Sequence, residues 1–444
     1  MNGYRRTLLG MALAGACAPV CAAAPAGGGR RAFDKLEREL AAIAADPACE
    51  LASLSVLAIR NGELAYEGQF GRRRIGHGAV ADLPATPDTL YRVASISKMV
   101  TTLGLMRLVE DGAVTLEADV SGYLGFTLRN PNFPARPITL RHLLTHTSSL
   151  RDAAGYSLPA GTALRELTMP GERLHGDGAM WATTAGPGDY FTYSNLGWGV
   201  IGTLMERVGG ERFDRLMERL LLQPLGLQAG YHPAALPPPA LDNLATLYRK
   251  RPVDTEAWHR HGPWIAQVDD YSVQPALPPP GSERYVIGDN ATPFSPTGGL
   301  RISARGLGTV MRMLMNDGMH EGRRILRRAT LARMFARQWT ADGQGGNGAT
   351  SDGLFTCWGL GNAQFPDQPG RRLVEGGFDA AGHLGDAYGL RSVFAADLPR
   401  RNGLIVLAGG SAADPGLQPG AYSALARFEE RIMTSLFQHV IAAR

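Results

Sequence analysis

The sequence contains almost no lysine, although it is rich in arginine. Only Lys35, Lys98 and Lys250 are lysines among 45 basic residues. Arginine stays protonated in proteins, whereas a lysine in a suitable environment can give up its proton. Each retained lysine is therefore a candidate for a task that arginine cannot perform.

Cysteine is also scarce, with Cys17, Cys21, Cys49 and Cys357 among 444 residues. The first two fall in a segment with the features of a removable leader. No pair has the Cys-x-x-Cys spacing of a zinc site. An oxidising compartment would permit a disulfide between Cys49 and Cys357, but two isolated cysteines so far apart are more often buried free thiols. We expect free thiols.

Long apolar runs and basic runs are missing too. No stretch of about 18 apolar residues follows the first 26 residues, so we expect no internal membrane span. The net charge is +4, of which Arg5 and Arg6 supply two charges, and no basic run is interleaved with aromatic residues. This pattern argues against a nucleic-acid partner. With 44% hydrophobic and 19% charged residues, the chain reads as globular.

Several catalytic signatures are absent. No serine lies in a Gly-x-Ser-x-Gly segment, which argues against an α/β-hydrolase. No Gly-Lys pair exists, which excludes a P-loop. His142 and His146 have helical i, i+4 spacing, but Leu143 stands where a zinc protease needs glutamate. We therefore expect no metal site.

Residues 1–26 have the composition of a signal peptide. Arg5 and Arg6 precede an apolar stretch, residues 8–18, and small residues follow at 21–26. The paired arginines fit either the general secretory route or the twin-arginine route. We expect export, with the periplasm as the destination. Ala14-Gly15-Ala16 before Cys17 is a poor lipoprotein box, so lipid anchoring is the less favoured alternative.

The remaining chain predicts a sheet built from both ends. Residues 33–45 and 95–111 have helical periodicity, and residues 51–59 and 63–70 flank an Asn61-Gly62 hairpin signal. Near the other end, strands are predicted at 355–360, 372–375, 388–395 and 403–408, and helices at 306–316, 329–336 and 422–442. The fold class is α/β (α+β), with an antiparallel sheet flanked by helices.

The middle of the chain predicts short helices and loops instead of a sheet. Helical pieces at 140–146, 196–208 and 210–222 alternate with loops, and a proline-rich excursion covers residues 231–296. We therefore divide the mature chain into a sheet domain, residues 27–112 and 297–444, and an inserted, mostly helical region, residues 113–296.

Ser95 and Lys98 are the first candidate for chemistry. Positions i and i+3 share one face of a helix, so the lysine can reach the serine hydroxyl. A serine becomes a good nucleophile when a neighbouring base takes its proton, and lysine can be that base if burial lowers its pKa. With 18 serines and three lysines, about 0.1 Ser-x-x-Lys matches are expected by chance. The alternative is an ordinary solvent-facing pair.

Two further segments are weak by themselves. Tyr193-Ser194-Asn195 could supply a proton relay through Tyr193 and a carbonyl ligand through Asn195, or could simply be a loop before a helix. His383-Leu384-Gly385 lies among glycines just before a predicted strand, where a substrate could approach the backbone closely. An ordinary turn histidine is the alternative there.

Taken together, these segments resemble the serine β-lactamase and penicillin-binding protein superfamily. The likeness is strongest to its class C-like branch of esterases and D-aminopeptidases, and it spans residues from about 35 to 440. The segments that carry it are Tyr91-Arg92-Val93-Ala94-Ser95-Ile96-Ser97-Lys98, residues 138–148, Tyr193-Ser194-Asn195, Thr297-Gly298-Gly299-Leu300 and Gly382-His383-Leu384-Gly385.

The resemblance implies an acyl-enzyme mechanism without metal or organic cofactor. Ser95 would attack a carbonyl, with Lys98 or Tyr193 as the base, and water would release the acyl group. Asn195 and His383 would contact the substrate. The oxyanion hole would use the backbone amide of Ser95 and one just after Gly385, at Asp386, because preorganised donors often supply the largest single contribution in acyl transfer.

The third motif departs from the β-lactamase pattern, in which Lys-Thr-Gly stands where this chain has His383-Leu384-Gly385. A mostly neutral histidine weakens the case for a substrate carboxylate. We expect an exported serine hydrolase acting on esters, amides or small D-amino peptides. A true β-lactamase or cell-wall D,D-carboxypeptidase is the first alternative, and a non-catalytic ligand- or peptidoglycan-binding relative is the second. Ser149, where the family usually has glycine, is interpreted as a structural change only.

Overall fold

A computed structural model describes residues 29–255 and 257–443 of the chain. The predicted signal peptide, residues 1–26, lies outside this part. The described residues form eleven α-helices: α1 (Gly29–Ala44), α2 (Ile96–Glu110), α3 (Ser121–Leu124), α4 (Leu140–Leu144), α5 (Arg165–Thr168), α6 (Asn195–Gly209), α7 (Phe213–Met217), α8 (Pro238–Asp242), α9 (Ala304–Met315), α10 (Arg328–Phe335) and α11 (Arg427–Leu436).

Sixteen strands accompany these helices in the described ranges. They are β1 (Ser53–Arg60), β2 (Glu63–Arg74), β3 (Leu83–Pro84), β4 (Tyr91–Arg92), β5 (Leu247–Arg249), β6 (Ile265–Val268), β7 (Arg301–Ile302), β8 (Met319–His320), β9 (Arg323–Arg324), β10 (Trp339–Thr340), β11 (Cys357–Trp358), β12 (Ala363–Phe365), β13 (Ala380–Ala387), β14 (Leu390–Asp397), β15 (Asn402–Ala408) and β16 (Gly410–Ser411).

Nine of the strands form one antiparallel sheet in the order β10-β11-β12-β13-β14-β15-β1-β2-β3. Strand β1 pairs with β15, with Val56 opposite Val406, so the two ends of the chain meet at the centre of the sheet. Asn61 and Gly62 both have positive φ, as the two-residue turn between β1 and β2 requires. The predicted fold class is confirmed.

Alternating residues of the central strands face two separate cores. Leu57 and Ile59 of β1 pack into the core that contains helices α2, α6 and α9. Leu54 and Val56 face the opposite core, which contains α1 and α11. The sheet is therefore a middle layer with both faces covered, which explains why β1 is buried along nearly its whole length.

Helix α2 is buried on almost every side. Its residues from Ile96 to Met106 are all buried, and so is Leu108. A helix that is apolar all round belongs inside a protein rather than on its surface. This burial places Lys98 in the interior and makes the first turn of α2 a rigid support for chemistry.

Three predictions about strands need correction. Residues 372–375 form no strand, because the glycine-rich segment there turns instead of extending. His383 lies inside β13 and not before a strand, since residues 381–387 pair with β14 and residues 380–382 pair with β12. The proline-rich excursion contains β5 and β6, which join β16 in a small sheet, so the middle region is less uniformly helical than its sequence indicates.

Cys49 and Cys357 are both buried free thiols. The division into a sheet domain and an inserted helical region stays a prediction. Within residues 29–255 and 257–443, no helix is both long and apolar enough to cross a membrane.

Candidate active site

Ser95 lies at the turn that opens helix α2. Its own backbone is already helical, with φ −69° and ψ −8°. The preceding Ala94 has φ +46°, a left-handed conformation that residues other than glycine rarely adopt. Backbone strain of this kind clusters at functional sites. Among the described residues, none accepts a hydrogen bond from the Ser95 amide, which is therefore available to a ligand.

Lys98 lies one helical turn after Ser95 and contacts three oxygens. Its Nζ is 2.9 Å from Ser95 Oγ, 2.7 Å from Asn195 Oδ1 and 3.0 Å from the Thr297 carbonyl oxygen. The oxygens of Asn195 and Thr297 can only accept, so two N–H groups point at them. The remaining position on the nitrogen faces Ser95 Oγ and can hold an N–H or a lone pair. The geometry therefore suits both protonation states.

The interior lowers the pKa of Lys98. The side chain has no exposed surface, and this burial lowers its pKa from 10.5 to about 7, against the opposing effect of the negative charge of Asp152. In the described part of the chain, lysine ion pairs are formed by Lys35 and Lys250 and not by Lys98. A base with a pKa near the working pH is well matched to proton transfer.

Asp152 fixes the position of Asn195, and the sequence interpretation missed it. Asp152 Oδ2 accepts from the backbone amide and from Nδ2 of Asn195, both at 2.8 Å. Its Oδ1 accepts from Ser194 Oγ at 3.1 Å and from the Leu196 amide at 3.0 Å. Because Nδ2 is held by the carboxylate, Oδ1 of Asn195 must face Lys98. These bonds bridge more than 40 residues of sequence, and no spacing signal marks Asp152.

The segment that begins at Thr297 closes the site from the other side. The hydroxyl of Thr297 donates to Asn195 Oδ1 at 2.8 Å, and its carbonyl accepts from Lys98. Leu300 is tied to α2 through its amide, which donates to Ser97 Oγ at 3.0 Å. Thr297 had a signal in the sequence, since Thr297-Gly298-Gly299-Leu300 was among the segments of the family resemblance.

Tyr193 brings its phenol to the serine. It hydrogen-bonds Ser95, while burial raises its pKa above the ordinary value. Its ring lies 4.8 Å from Lys98 Nζ and stacks on Phe355 with centroids 5.0 Å apart. A tyrosine whose pKa is raised stays neutral near pH 7, so its hydroxyl can relay a proton without becoming a phenolate.

His146 holds the segment that carries Tyr193. Its carbonyl accepts from the Thr192 amide at 2.8 Å, and its Nδ1 accepts from the Ser194 amide at 3.0 Å. The ring is buried among aromatic side chains, with Tyr193 at 4.4 Å. Burial and the nearby Lys98 lower the pKa of His146 well below its ordinary value. It is therefore a neutral acceptor that binds the backbone amides of the residues before and after Tyr193.

Gly385 allows strand β13 to approach the nucleophile. A Cβ at this position would lie 2.3 Å from Ser392 Oγ and 2.6 Å from the Val93 carbonyl oxygen, so any side chain would force the strand away. The next residue, Asp386, lies at the cavity wall, and its carboxylate is 3.3 Å from Arg391. The predicted oxyanion position is thus beside the turn that carries Ser95, although donation by the Asp386 amide stays a prediction.

His383 does not reach the cavity, which corrects its expected contact with substrate. The side chain has no exposed area, and its Nδ1 lies 2.6 Å from the Leu384 carbonyl oxygen. Burial, with Lys98 as a second cause, lowers the pKa of His383 to about 3. The ring packs against Trp358, with centroids 5.4 Å apart. Any influence on a substrate acts through the strand that His383 supports.

Ser149 occupies a glycine-like position. Its φ is +65°, a conformation in which glycine is favoured. Its hydroxyl accepts a hydrogen bond from Asn130 Nδ2 at 3.1 Å. The residue is buried and does not line the cavity, in agreement with a structural role.

The polar groups open into one cavity of about 620 Å³, a size suited to a small ligand. The cavity is lined by polar residues of the candidate site and by apolar and aromatic side chains. The lining includes Ser95, Tyr193, Asn195, Tyr156, Phe355 and Tyr388. The structure thus brings together six of the seven predicted residues around this space, Lys98 lying just beneath it, and places His383 behind the strand.

No group of three or more histidine, cysteine or acidic side chains suited to a metal ion occurs in residues 29–255 and 257–443. His142 is engaged locally, since its Nδ1 accepts from the Thr139 amide at 3.3 Å. The two histidines with i, i+4 spacing therefore serve different local structures.

A serine at a helix start, bonded to a buried lysine and a tyrosine, is an arrangement that can activate the serine hydroxyl as a nucleophile. The chain belongs to the β-lactamase family, whose sequence profile matches residues 33–426. This confirms the resemblance inferred from the motifs.

Two curated relatives illustrate the spread of the family. Esterase EstB of Burkholderia gladioli is 32% identical over 179 residues, which cover 38% of this chain and 44% of the esterase. The D-alanyl-D-alanine-carboxypeptidase/endopeptidase AmpH of Escherichia coli K12 is 28% identical over 172 residues, which cover 36% of this chain and 40% of AmpH. The chain thus spans about two fifths of the length of these relatives.

Among solved structures, the D-amino acid amidase of Ochrobactrum anthropi SV3 is similar with a TM-score of 0.62 and 18% identity. The match covers 91% of this chain and 99% of the amidase. At this identity the likeness establishes the fold alone.

Proposed function

We propose that the chain is an exported serine hydrolase that forms an acyl-enzyme on Ser95 with esters, amides or small D-amino peptides. The observation that carries the proposal is the buried Lys98, whose pKa lies near 7 and whose nitrogen is 2.9 Å from the serine hydroxyl. The esterase, amidase and carboxypeptidase named among similar proteins support this range of substrates.

The geometry suggests an order of proton transfers. Neutral Lys98 takes the proton of Ser95 as the oxygen attacks the carbonyl, while the hydrogen bonds from its nitrogen to Asn195 and Thr297 keep its lone pair aimed at the serine. Protonated Lys98 then passes its proton to the leaving group through the hydroxyl of Tyr193, which is bonded to Ser95 and gives up one proton as it receives another. Backbone amides of Ser95 and Asp386 hold the oxyanion.

The arrangement favours Lys98 over Tyr193 as the base. Burial acts on the two groups in opposite directions, lowering the pKa of the lysine and raising that of the tyrosine. A neutral lysine is therefore common near pH 7, whereas a phenolate is rare. In this proposal the leader predicted in residues 1–26 would direct the chain to the periplasm. Residues from both proposed parts of the chain, such as Ser95 and Tyr193, line the cavity.

The test is active-site labelling followed by a substrate screen. A fluorophosphonate probe should label the purified protein once per chain at Ser95, and Ser95→Ala should abolish the label. Ser97→Ala is the matched control, because Ser97 is buried and its hydroxyl bonds the Leu300 amide. Undiminished labelling of the Ser95 variant would overturn the proposal. The screen should compare short p-nitrophenyl esters, D-amino acid amides and nitrocefin, with the first two turned over faster.

A further inference from the structure

Arg92 lies three residues before the nucleophile and lines the same cavity. Its Nε donates to the Gly298 carbonyl at 3.1 Å, and its guanidinium carbon lies 4.6 Å from the centre of the Tyr388 ring. Within residues 29–255 and 257–443, Nη1 and Nη2 form no hydrogen bond or ion pair. The end of the guanidinium fork is therefore not satisfied by the protein.

No carboxylate among the described residues forms an ion pair with Arg92. Strand β4 places it directly opposite Arg301 of β7, so two like charges form a cross-strand pair. The one carboxylate at this place, Asp269, is bound by Arg301 at 3.1 and 2.8 Å and by the Tyr271 hydroxyl at 3.2 Å. Two guanidinium groups thus share one acid, and one positive charge remains.

The other charged groups of the cavity wall have hydrogen-bond or ion-pair partners of their own. Asp386 and Glu429 lie 3.3 and 3.9 Å from Arg391, which is placed between them. Asp152 is held by the amides at the start of α6. Arg92 is thus the cation of this wall that has no carboxylate of its own.

We propose that Arg92 and Tyr388 form a subsite for a carboxylate carried by the substrate. A guanidinium fork binds a carboxylate with two parallel hydrogen bonds, and Tyr388 covers one face of the fork while its edge stays open. Because Nη1 and Nη2 have no partner among the described residues, a carboxylate can bind them without displacing an existing ion pair. The subsite supplies the positive charge that neutral His383 does not provide at the third motif. This inference rests on the proposed hydrolase function.

The test compares two matched pairs of esters by kcat/KM. Mono-p-nitrophenyl succinate against p-nitrophenyl butyrate places the carboxylate on the acyl group, and 3-carboxyphenyl acetate against phenyl acetate places it on the leaving group. In one of the two pairs, whichever places its carboxylate at Arg92, the ratio of kcat/KM for the charged ester to that for the uncharged ester should fall about tenfold or more in Arg92→Gln. Arg92→Lys should restore part of it, because lysine keeps the charge but not the fork.

Arg173→Gln is the control, since Arg173 is paired with Glu166 at 2.7 Å outside the cavity and should leave the preference of both pairs unchanged. If Arg92→Gln folds poorly, inhibition of the unaltered protein decides, with benzoate binding at least tenfold more tightly than benzyl alcohol. The subsite would be overturned if the unaltered protein and the Arg92 variants showed the same ratio of kcat/KM for the charged and uncharged esters. Equal inhibition by benzoate and benzyl alcohol would also overturn it. Failure of the hydrolase proposal itself would appear differently, as absence of both ester turnover and Ser95 labelling.

Discussion

Two buried cations lie at opposite ends of the segment 297–301, and the fold treats them differently. Arg301 is bound to a buried carboxylate, with Nε and Nη2 donating to Asp269 at 3.1 and 2.8 Å. Lys98 bonds only neutral oxygens, those of Ser95, Asn195 and Thr297. The first pair stays ionised, and the charge of Arg301 lowers the pKa of Asp269 against the effect of burial. The second cation loses its proton near neutrality.

The difference depends on where the carboxylates are placed. Asp152 is near enough to Lys98 for its charge to act on the pKa of the lysine, but its oxygens are bound by amides at the start of α6. A buried cation with its own carboxylate serves structure, whereas one surrounded by neutral acceptors becomes a base.

Replacing Lys98 should have the largest effect. Lys98→Arg keeps the charge but removes the group that can lose a proton, so it should lower kcat/KM for a p-nitrophenyl ester by about 10³-fold or more, nearly as much as Lys98→Ala. Lys250→Arg is the control, because Lys250 forms an ordinary ion pair with Glu50 at 2.8 Å. An arginine variant that kept most of its activity would show that the charge, and not proton exchange, is what the site uses.

Removing the carboxylate of Asp269 from its ion pair with Arg301 should lower the stability of the protein. Asp269→Asn leaves Arg301 buried without an anion and should lower the free energy of unfolding by about 3–5 kcal/mol, measured by urea denaturation. Asp269→Asn combined with Arg301→Met should recover part of the loss, because the uncompensated charge is gone. A single variant as stable as the unaltered protein would contradict the structural role assigned to this pair.

Removing the acid near the lysine should act on catalysis and on its pH dependence. Asp152→Asn loses the oxygen that orients the amide of Asn195, so kcat should fall by about 10- to 100-fold. The negative charge of Asp152 raises the pKa of Lys98, so its loss should move the acid limb of the kcat/KM profile to lower pH. Asp177→Asn is the control, an exposed aspartate that also accepts from a backbone amide. An acid limb displaced to higher pH would contradict this account.

The sequence predicted the part of the site that is local. Ser95 and Lys98 share a helix, so their spacing alone brings them together, and the motif around Tyr193 and Asn195 marked the second wall. The strands predicted near both ends of the chain, with the Asn61-Gly62 hairpin signal, likewise predicted the sheet.

What escaped prediction depends on contacts between distant parts of the chain. Asp152 meets Asn195 across 43 residues, and Thr297 meets Lys98 across 199. The burial of His383 follows from pairing of β13 on both sides and from the packing of Trp358, neither of which a local pattern reveals. The glycines around His383 predicted a close approach of a substrate to the backbone, whereas Gly385 allows the close approach of the strand to Ser392 and to the Val93 carbonyl.

The most direct measurement uses the scarcity of lysine. Labelling the protein with ¹³Cε-lysine gives one NMR resonance for each of Lys35, Lys98 and Lys250, which can be followed as the pH is raised. The account predicts that one resonance titrates near pH 7 and that this resonance is missing in Lys98→Arg. If every lysine resonance titrates only above about pH 9, Lys98 is an ordinary cation and cannot be the base for Ser95.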